Sequence, residues 1–521
     1  MIQPEQALPR VTYSNIGVDF APLHDFLDRA IPAFAPGGLR PNRIGGRDDL
    51  AGARFSVVSP IDRRLNLGDF VDADADAVAR AVDAARAAQG AWGRRPWQER
   101  VAALRAVAGE IEKRKYELGI ACLIEVGKSR AEAMGEVEET IDLLRYYAGE
   151  MEANAGYARD MARAFPSEVT RLTLRPHGVF AVIAPFNFPL ALSAGMMTGA
   201  LLGGNAVVFK PGPRSGLTGA GLIECFEAIL PPGVVNMVCG EAAGPLLAQH
   251  GGIDGIAFTG SHAVGMELLR AQAARAHMRP VNVEMGGKNP VYVAASADLD
   301  IAAEGTMRSA FGLTGQKCSA CSVAYVDRAV LPEFLAKLAA KTTALKIGDP
   351  RLREIFAGPA IDAAAGARYD VAVVEAARDG RVVAGGTRLS GGIRDFGVYL
   401  APTIVADLPA DHRLNREELF LPFVSVQAMD GLADGIARGN AVDYGLTAGV
   451  YARAPDELDY FFENAAAGVL YANRRSGATT GAWPGIQTFC GWKGSGATGK
   501  GGLGPWYVPQ FMREQSHTSM T

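Results

Sequence analysis

The stretch FGLTGQKCSACSV, residues 311–323, sets Cys318 and Cys321 three positions apart behind two glycines and a lysine. Such a pair can be half of a zinc site, a dithiol couple, or one nucleophile beside a bystander. Zinc needs three or four ligands, and no companion pair stands at a fitting spacing, so no metal is expected. The apolar run VAYV that follows is unlike an exposed redox motif. For the nucleophile reading, GLTGQK supplies pliant backbone and SACSV reads as the start of a helix. Free N–H groups at such a start would favour a thiolate at Cys318 and hold a developing oxyanion. Cys321, one turn on, would pack along the same face.

A nucleophile also needs a base. Glu284 lies in VNVEMGGKNP, residues 281–290, inside an apolar strand-like run and ahead of two glycines. An inward glutamate there is costly to bury charged, and burial raises its pKa toward general-base values. A carboxylate facing water from an edge strand fits the same pattern. Asn187 in PFNFP sits in a proline-restricted loop, where its amide suits an oxyanion contact or simply a turn. In AFTGS, a strand ends, a glycine turns, and Ser261 stands where a helix begins, with Gly265 following. Backbone N–H groups there suit a pyrophosphate, although the G-x-G-x-x-G fingerprint is absent.

The elements that must carry these residues are those of an α/β protein. The 521 residues exceed one compact core. From Asp72 to Glu150 alanine, leucine and glutamate recur at helical spacing, interrupted at Gly90, Pro96 and Gly127. After Phe180, strand-like runs alternate with helical windows: VFAVIA, NAVVFK, VVNMVC, GIAFTG, VNVEMGG and PVYVAA. A second α/β region, from about Ile301 to Leu470, contains SVAYVD, RVVAGG, APTIVAD and FVSVQA. That rhythm implies buried parallel strands. The uncharged span from Pro176 to Phe209 is long enough to cross a membrane, but its prolines, Asn187 and Gly203-Gly204 divide it into strand, loop, buried helix and strand. With 52 basic and 56 acidic side chains, the net charge of -4 gives no general reason to bind nucleic acid or an anionic membrane. Six cysteines do not make a disulfide framework, and the opening MIQPEQALPR lacks the apolar run of a signal peptide; both favour the cytoplasm.

Taken in order, PFNFP, FTGS-x-x-x-G, EMGGKNP, GQKC and EELF resemble the aldehyde dehydrogenase superfamily, over nearly the whole chain from about residue 50. Within it, GQKCSACS and ETIDLLRYYA are most similar to the 1-pyrroline-5-carboxylate dehydrogenases. The resemblance implies a Rossmann-like cofactor domain (51–157 and 177–285) and an α/β catalytic domain (286–476). An N-terminal arm (1–50) and a small β oligomerisation element (158–176 and 495–521) complete it, and at least a homodimer is implied. It makes Cys318 the nucleophile, Glu284 the activator of the deacylating water, and Asn187 the oxyanion partner. Lys210 would bind the adenosine ribose, Ser261 the pyrophosphate, and Glu418 the nicotinamide ribose. Gly240 and Gly265 would admit the cofactor, and Phe420 would support its ring.

The implied cofactor is NAD, with NADP open because Pro211-Gly212-Pro213 carries no acidic residue and Arg214 follows. The implied substrate is glutamate γ-semialdehyde. Ser319 and the Gly491-Trp492 backbone would hold its carboxylate, Phe186 and Phe489 would sandwich its aliphatic part, and Glu139 would face its amino end. Another carboxylated or CoA-linked semialdehyde is the alternative. Two residues depart from the pattern. Leu421 replaces a usual glycine and is expected to crowd a cofactor-side turn, and Trp492 stands where alanine is usual.

Overall fold

The alanine-rich stretch after Asp72 folds as four helices, Ala75–Arg94, Trp97–Lys113, Lys115–Val126 and Arg130–Ala153. The computed structural model describes residues 3–4, 7–12, 15, 19–475 and 482–520. Asp74 starts the first helix by accepting the Ala77 N–H, one of the donors a helix start leaves without a partner. Pro96 separates the first two helices, and Gly127 ends the third with a left-handed φ of 81°. Gly90, an expected break, lies inside the first helix. A lone glycine costs about 1 kcal/mol there, and the buried stripe Ala77, Val78, Ala81, Val82, Ala85 and Trp92 outweighs it.

The uncharged span resolves into the strand Val179–Ile183, a loop, the helix Ala191–Leu202, buried except at Leu192, and the strand Ala206–Lys210. No described helix is long and apolar enough to cross a membrane. Those two strands sit at the centre of a sheet whose order is Val281–Met285, Gly255–Gly260, Val179–Ile183, Ala206–Lys210, Val235–Met237. These five run parallel. The short antiparallel strands Asn42–Ile44 and Arg47–Asp49 continue the far edge. Strand order reverses between Val179–Ile183 and Gly255–Gly260. A doubly wound sheet opens a ligand crevice at the carboxyl ends of such a pair, here beside Asn187 and Ser261.

A second sheet runs Arg381–Ala384, Thr403–Ala406, Phe423–Met429, Cys321–Asp327, Asn289–Val293, Thr447–Tyr451, Val469–Ala472. It is parallel except at its first pair. Its last two strands come from TAGVY and VLYA, short windows whose glycine and alanine do not announce a strand. The third sheet is antiparallel and joins Ala158–Asp160, Glu168–Pro176 and Met512–Met520. The helix Ala21–Ala33 buries Leu23, Phe26, Leu27, Ala30 and Ile31 against the body, and Arg130 reaches it to donate to the His24 carbonyl at 3.1 Å.

Candidate active site

Three successive residues ahead of Cys318 have left-handed backbone: Leu313 (φ 48°), Thr314 (φ 56°) and Gly315 (φ 68°). Such backbone at a non-glycine residue costs about 1–3 kcal/mol and persists only where its surroundings over-determine it. Here Thr314 Oγ1 donates to the Gly358 carbonyl at 2.8 Å. A Cβ on Gly315 would lie 2.1 Å from the Leu421 carbonyl oxygen. The Gln316 carboxamide accepts the Ile361 N–H at 2.9 Å. Lys317 forms an ion pair with Glu132 at 2.9 Å. The Cys318 carbonyl accepts from Asn289 Nδ2 at 2.7 Å.

This places Cys318 on a turn, not at the expected helix start. SVAYVD is β-branched and aromatic, and Cys321–Asp327 is taken up as a strand paired on both sides. Cys321 opens that strand and is buried with Met307 and Phe311 in the apolar cluster of the second sheet, so no helical face is shared with Cys318. The expected thiolate-favouring environment is absent too. Burial pushes the Cys318 thiol well above its ordinary value, and Glu284 and Glu418 push it further.

Glu284 lies on the edge strand Val281–Met285, yet it faces inward. The segment after Gly491 covers that edge, with the Met285 N–H donating to the Ser495 carbonyl at 2.9 Å. Burial raises the carboxyl to about 7; a hydrogen bond from Cys318 works against the rise, and Glu418 adds to it. Its Oε1 is buried without a hydrogen-bond partner. Asn187 is buried in the loop after Val179–Ile183, and its amide donates to the Gln316 carbonyl at 3.0 Å. The PFNFP loop and the loop ahead of Cys318 therefore meet two residues from Cys318.

One cavity is lined by Cys318, Glu284, Ser319, Glu139, Phe489 and Gly491. The residues expected to meet the cofactor are not among those lining this cavity. Lys210 ends its strand buried, and burial lowers its pKa. Ser261 caps the exposed start of His262–Ala273, accepting the Val264 N–H at 3.4 Å. Gly265 lets this helix close on the sheet, because a Cβ would lie 2.3 Å from Met285 Sδ. Gly240 has φ 107°, and a Cβ would fall 1.8 Å from Asp72 Oδ1. Glu418 accepts the Gly287 N–H at 3.0 Å, and burial raises its carboxyl to about 7. Phe420 takes a left-handed turn at φ 57°. An exposed helix N-terminus, a buried lysine at a strand end and a carboxylate near the nucleophile fit a dinucleotide's pyrophosphate and two riboses.

A family model described as the aldehyde dehydrogenase family matches residues 48–516. The chain belongs to the aldehyde dehydrogenase family. It is 34% identical over 484 residues to the 1-pyrroline-5-carboxylate dehydrogenase of Bacillus mycoides (strain KBAB4), covering 91% of this chain and 92% of that one. It is 35% identical over 434 residues to the alpha-ketoglutaric semialdehyde dehydrogenase of Bacillus subtilis (strain 168), covering 82% and 87%. Among solved structures, a Thermus 1-pyrroline-5-carboxylate dehydrogenase with bound NAD superposes with a TM-score of 0.92 at 30% identity, over 100% of both chains.

Two expectations, for Phe186 and Leu421, are corrected in this family member. Phe188 lines the cavity, whereas Phe186 stands edge-on to Phe420 with ring centroids 6.0 Å apart. Both phenylalanines flank Asn187 in PFNFP, and nothing in that motif tells which one the turn directs inward. The Trp492 ring lies outside the cavity, 48% exposed, over Gly445 and Gly468. Leu421 does not crowd the cleft; it is buried with Leu400, Leu414 and Phe423. Sequence reasoning also passed over Tyr147, Tyr507, Ala482 and Lys500, which line the cavity. Glu139, Leu143 and Tyr147 recur every fourth residue, so one helix face was a readable signal for Tyr147. Residues 476–481 lie outside the described residues.

Proposed function

We propose that this chain oxidises L-glutamate γ-semialdehyde, the open form of 1-pyrroline-5-carboxylate, to L-glutamate with NAD or NADP. The observation that carries the reading is that Glu284 and Cys318 line one cavity that also holds Ser319 and Glu139. The relatives named for this reaction support it.

The Cys318 thiol gives its proton to solvent and the thiolate attacks the aldehyde carbon. The Asn187 amide and the Cys318 N–H hold the resulting oxyanion. Bound NAD supplies the acceptor for the hydride that leaves the adduct, and a thioester on Cys318 remains. Ionised Glu284 takes a proton from the attacking water, and the acid is released. Lys210, Ser261 and Glu418 would hold the ribose and pyrophosphate groups of the cofactor, Gly240 and Gly265 would admit it, and Phe420 would support its ring. Exposed Arg214 leaves room for a 2′-phosphate.

In the substrate cavity, Ser319 and the backbone at Gly491 take the carboxylate, Phe188 and Phe489 flank the chain, and Glu139 faces the α-amino group. The division into an arm (1–50), a cofactor domain (51–157 and 177–285), a catalytic domain (286–476) and an oligomerisation element (158–176 and 495–521) accompanies this reading. The antiparallel sheet exposes Val169 and Met520, and the connection between its first two strands exposes Phe165, which supports self-association through it. Six free thiols suit a cytoplasmic setting.

A second reading, oxidation of α-ketoglutaric semialdehyde, is favoured by the Bacillus subtilis relative. The two substrates differ at Cα, where an amino group or a keto oxygen would meet Glu139. Steady-state NADH and NADPH formation with semialdehydes of matched length separates the readings. Higher kcat/KM for the α-amino substrate is expected. Near-equal activity on an aldehyde without an α-carboxylate would remove the assignment.

A further inference from the structure

The helix Arg130–Ala153 reaches the Cys318 loop, the Asn187 loop and the cavity wall through one stripe of side chains, spaced by three and four residues. Ser129 and Glu132 form a capping box at its start. The oxygen of Glu132 left by that box, Oε1, holds Lys317 at 2.9 Å, and both side chains are buried. Lys317 is bonded directly to Cys318 along the chain.

One turn on, Glu136 accepts the N–H groups of Leu190 and Ala191 at 2.8 and 3.2 Å, fixing the end of the Asn187 loop. It also pairs with fully buried Lys128. The Lys128 ammonium lies 3.6 Å from the centroid of the Phe188 ring, a cation–π contact that steadies the residue after Asn187. Glu139, Leu143 and Tyr147 then form the cavity wall. Buried carboxylates at 132 and 136 carry a desolvation cost that propensity alone would remove by substituting leucine or alanine. Each instead binds a different catalytic loop.

We propose that Glu132 and Glu136 are separate positioning residues on this one helix: Glu132, through Lys317, sets the nucleophile, and Glu136, with Lys128, sets the oxyanion loop. This rests on the reading of Cys318 as nucleophile and Asn187 as oxyanion partner. The two sites are distinguishable because alkylation of a thiol by iodoacetamide displaces iodide at a saturated carbon and develops no carbonyl oxyanion. Misplacing Cys318 slows both alkylation and turnover; misplacing Asn187 slows turnover alone.

The test measures kcat per titrated Cys318, the alkylation rate of the Cys318 peptide by mass spectrometry, and the melting temperature. Glu132→Ala is expected to lower both kcat and the alkylation rate about 10- to 100-fold, and Lys317→Arg, which keeps the ion pair, to retain both within about threefold of wild type. Glu136→Gln is expected to lower kcat by a similar factor while alkylation stays within about twofold. Leu338→Ala, in the core of the catalytic lobe, serves as a destabilised control whose kcat per site is unchanged. Wild-type kcat and alkylation in both glutamate variants would overturn the proposal. So would parallel loss of both rates in Glu136→Gln, or losses matched by Leu338→Ala. Turnover retained in Cys318→Ala would overturn the underlying mechanism as well.

Discussion

Replacing Glu284 by glutamine separates the two halves of the reaction. The carboxyl is raised to about 7, chiefly by burial. If the ionised form is the base, its fraction rises from about one tenth at pH 6 to about nine tenths at pH 8, so a deacylation-limited kcat climbs about tenfold over that interval. Glu284→Gln removes that base, with an expected loss in kcat of about 10²–10⁴. Acylation survives, because Glu284 is itself a cause of the raised Cys318 thiol; removing the charge eases ionisation to solvent.

Stopped-flow absorbance should then show a burst of about one reduced cofactor per active site, followed by a slow, pH-insensitive steady state. The same shift has a stability sign. A folded value above the unfolded 4.5 favours the protonated carboxyl, so its cost is absent below about 4.5 and complete above about 7. The bound is about 3 kcal/mol at pH 8, reduced by whatever water enters the cavity. The melting temperature of Glu284→Gln should therefore gain on wild type as pH rises from 5 to 8. A variant without a burst, or a wild-type kcat flat between pH 6 and 8, would refute the reasoning.

Other substitutions probe separate parts of the account. Trp492→Ala should leave KM for the semialdehyde within about twofold, because the ring lies outside the cavity, whereas Phe188→Ala should raise it, as loss of buried aromatic contact area weakens binding; steady-state kinetics compares them. Gly240→Ala should destabilise the fold by about 1–3 kcal/mol in urea denaturation, since φ is 107° and a Cβ would strike Asp72. Arg214→Ala should lower kcat/KM with NADP more than with NAD, read from initial rates with each cofactor.

Much of this site was legible in the chain because its chemistry sits in short, ordered segments. Cys318 and Glu284 line one cavity, Asn187 reaches the loop ahead of Cys318, and the strand-like runs VFAVIA, NAVVFK and GIAFTG form the expected parallel strands. What misled was local. SACSV lacks a helix-breaking residue, yet the following SVAYVD gains more from pairing on two sides than a helical turn would provide. The environment of Cys318 was not legible: its thiol is raised first by burial and then by Glu284 and Glu418, residues 34 and 100 positions away (318 − 284 and 418 − 318). PFNFP gave no reason to choose Phe188 over Phe186, because a turn, not residue type, selects the inward ring. The roles of Glu132 and Glu136 needed the partners that only folding brings to them.

The most direct test of the central claim is peptide mass spectrometry of Glu284→Gln quenched with L-glutamate γ-semialdehyde and NAD. The account predicts a glutamyl thioester on the peptide that contains Cys318, localised to that residue and absent without NAD. No adduct after a confirmed burst of NADH, or an adduct on Cys321 or Cys490, would contradict it.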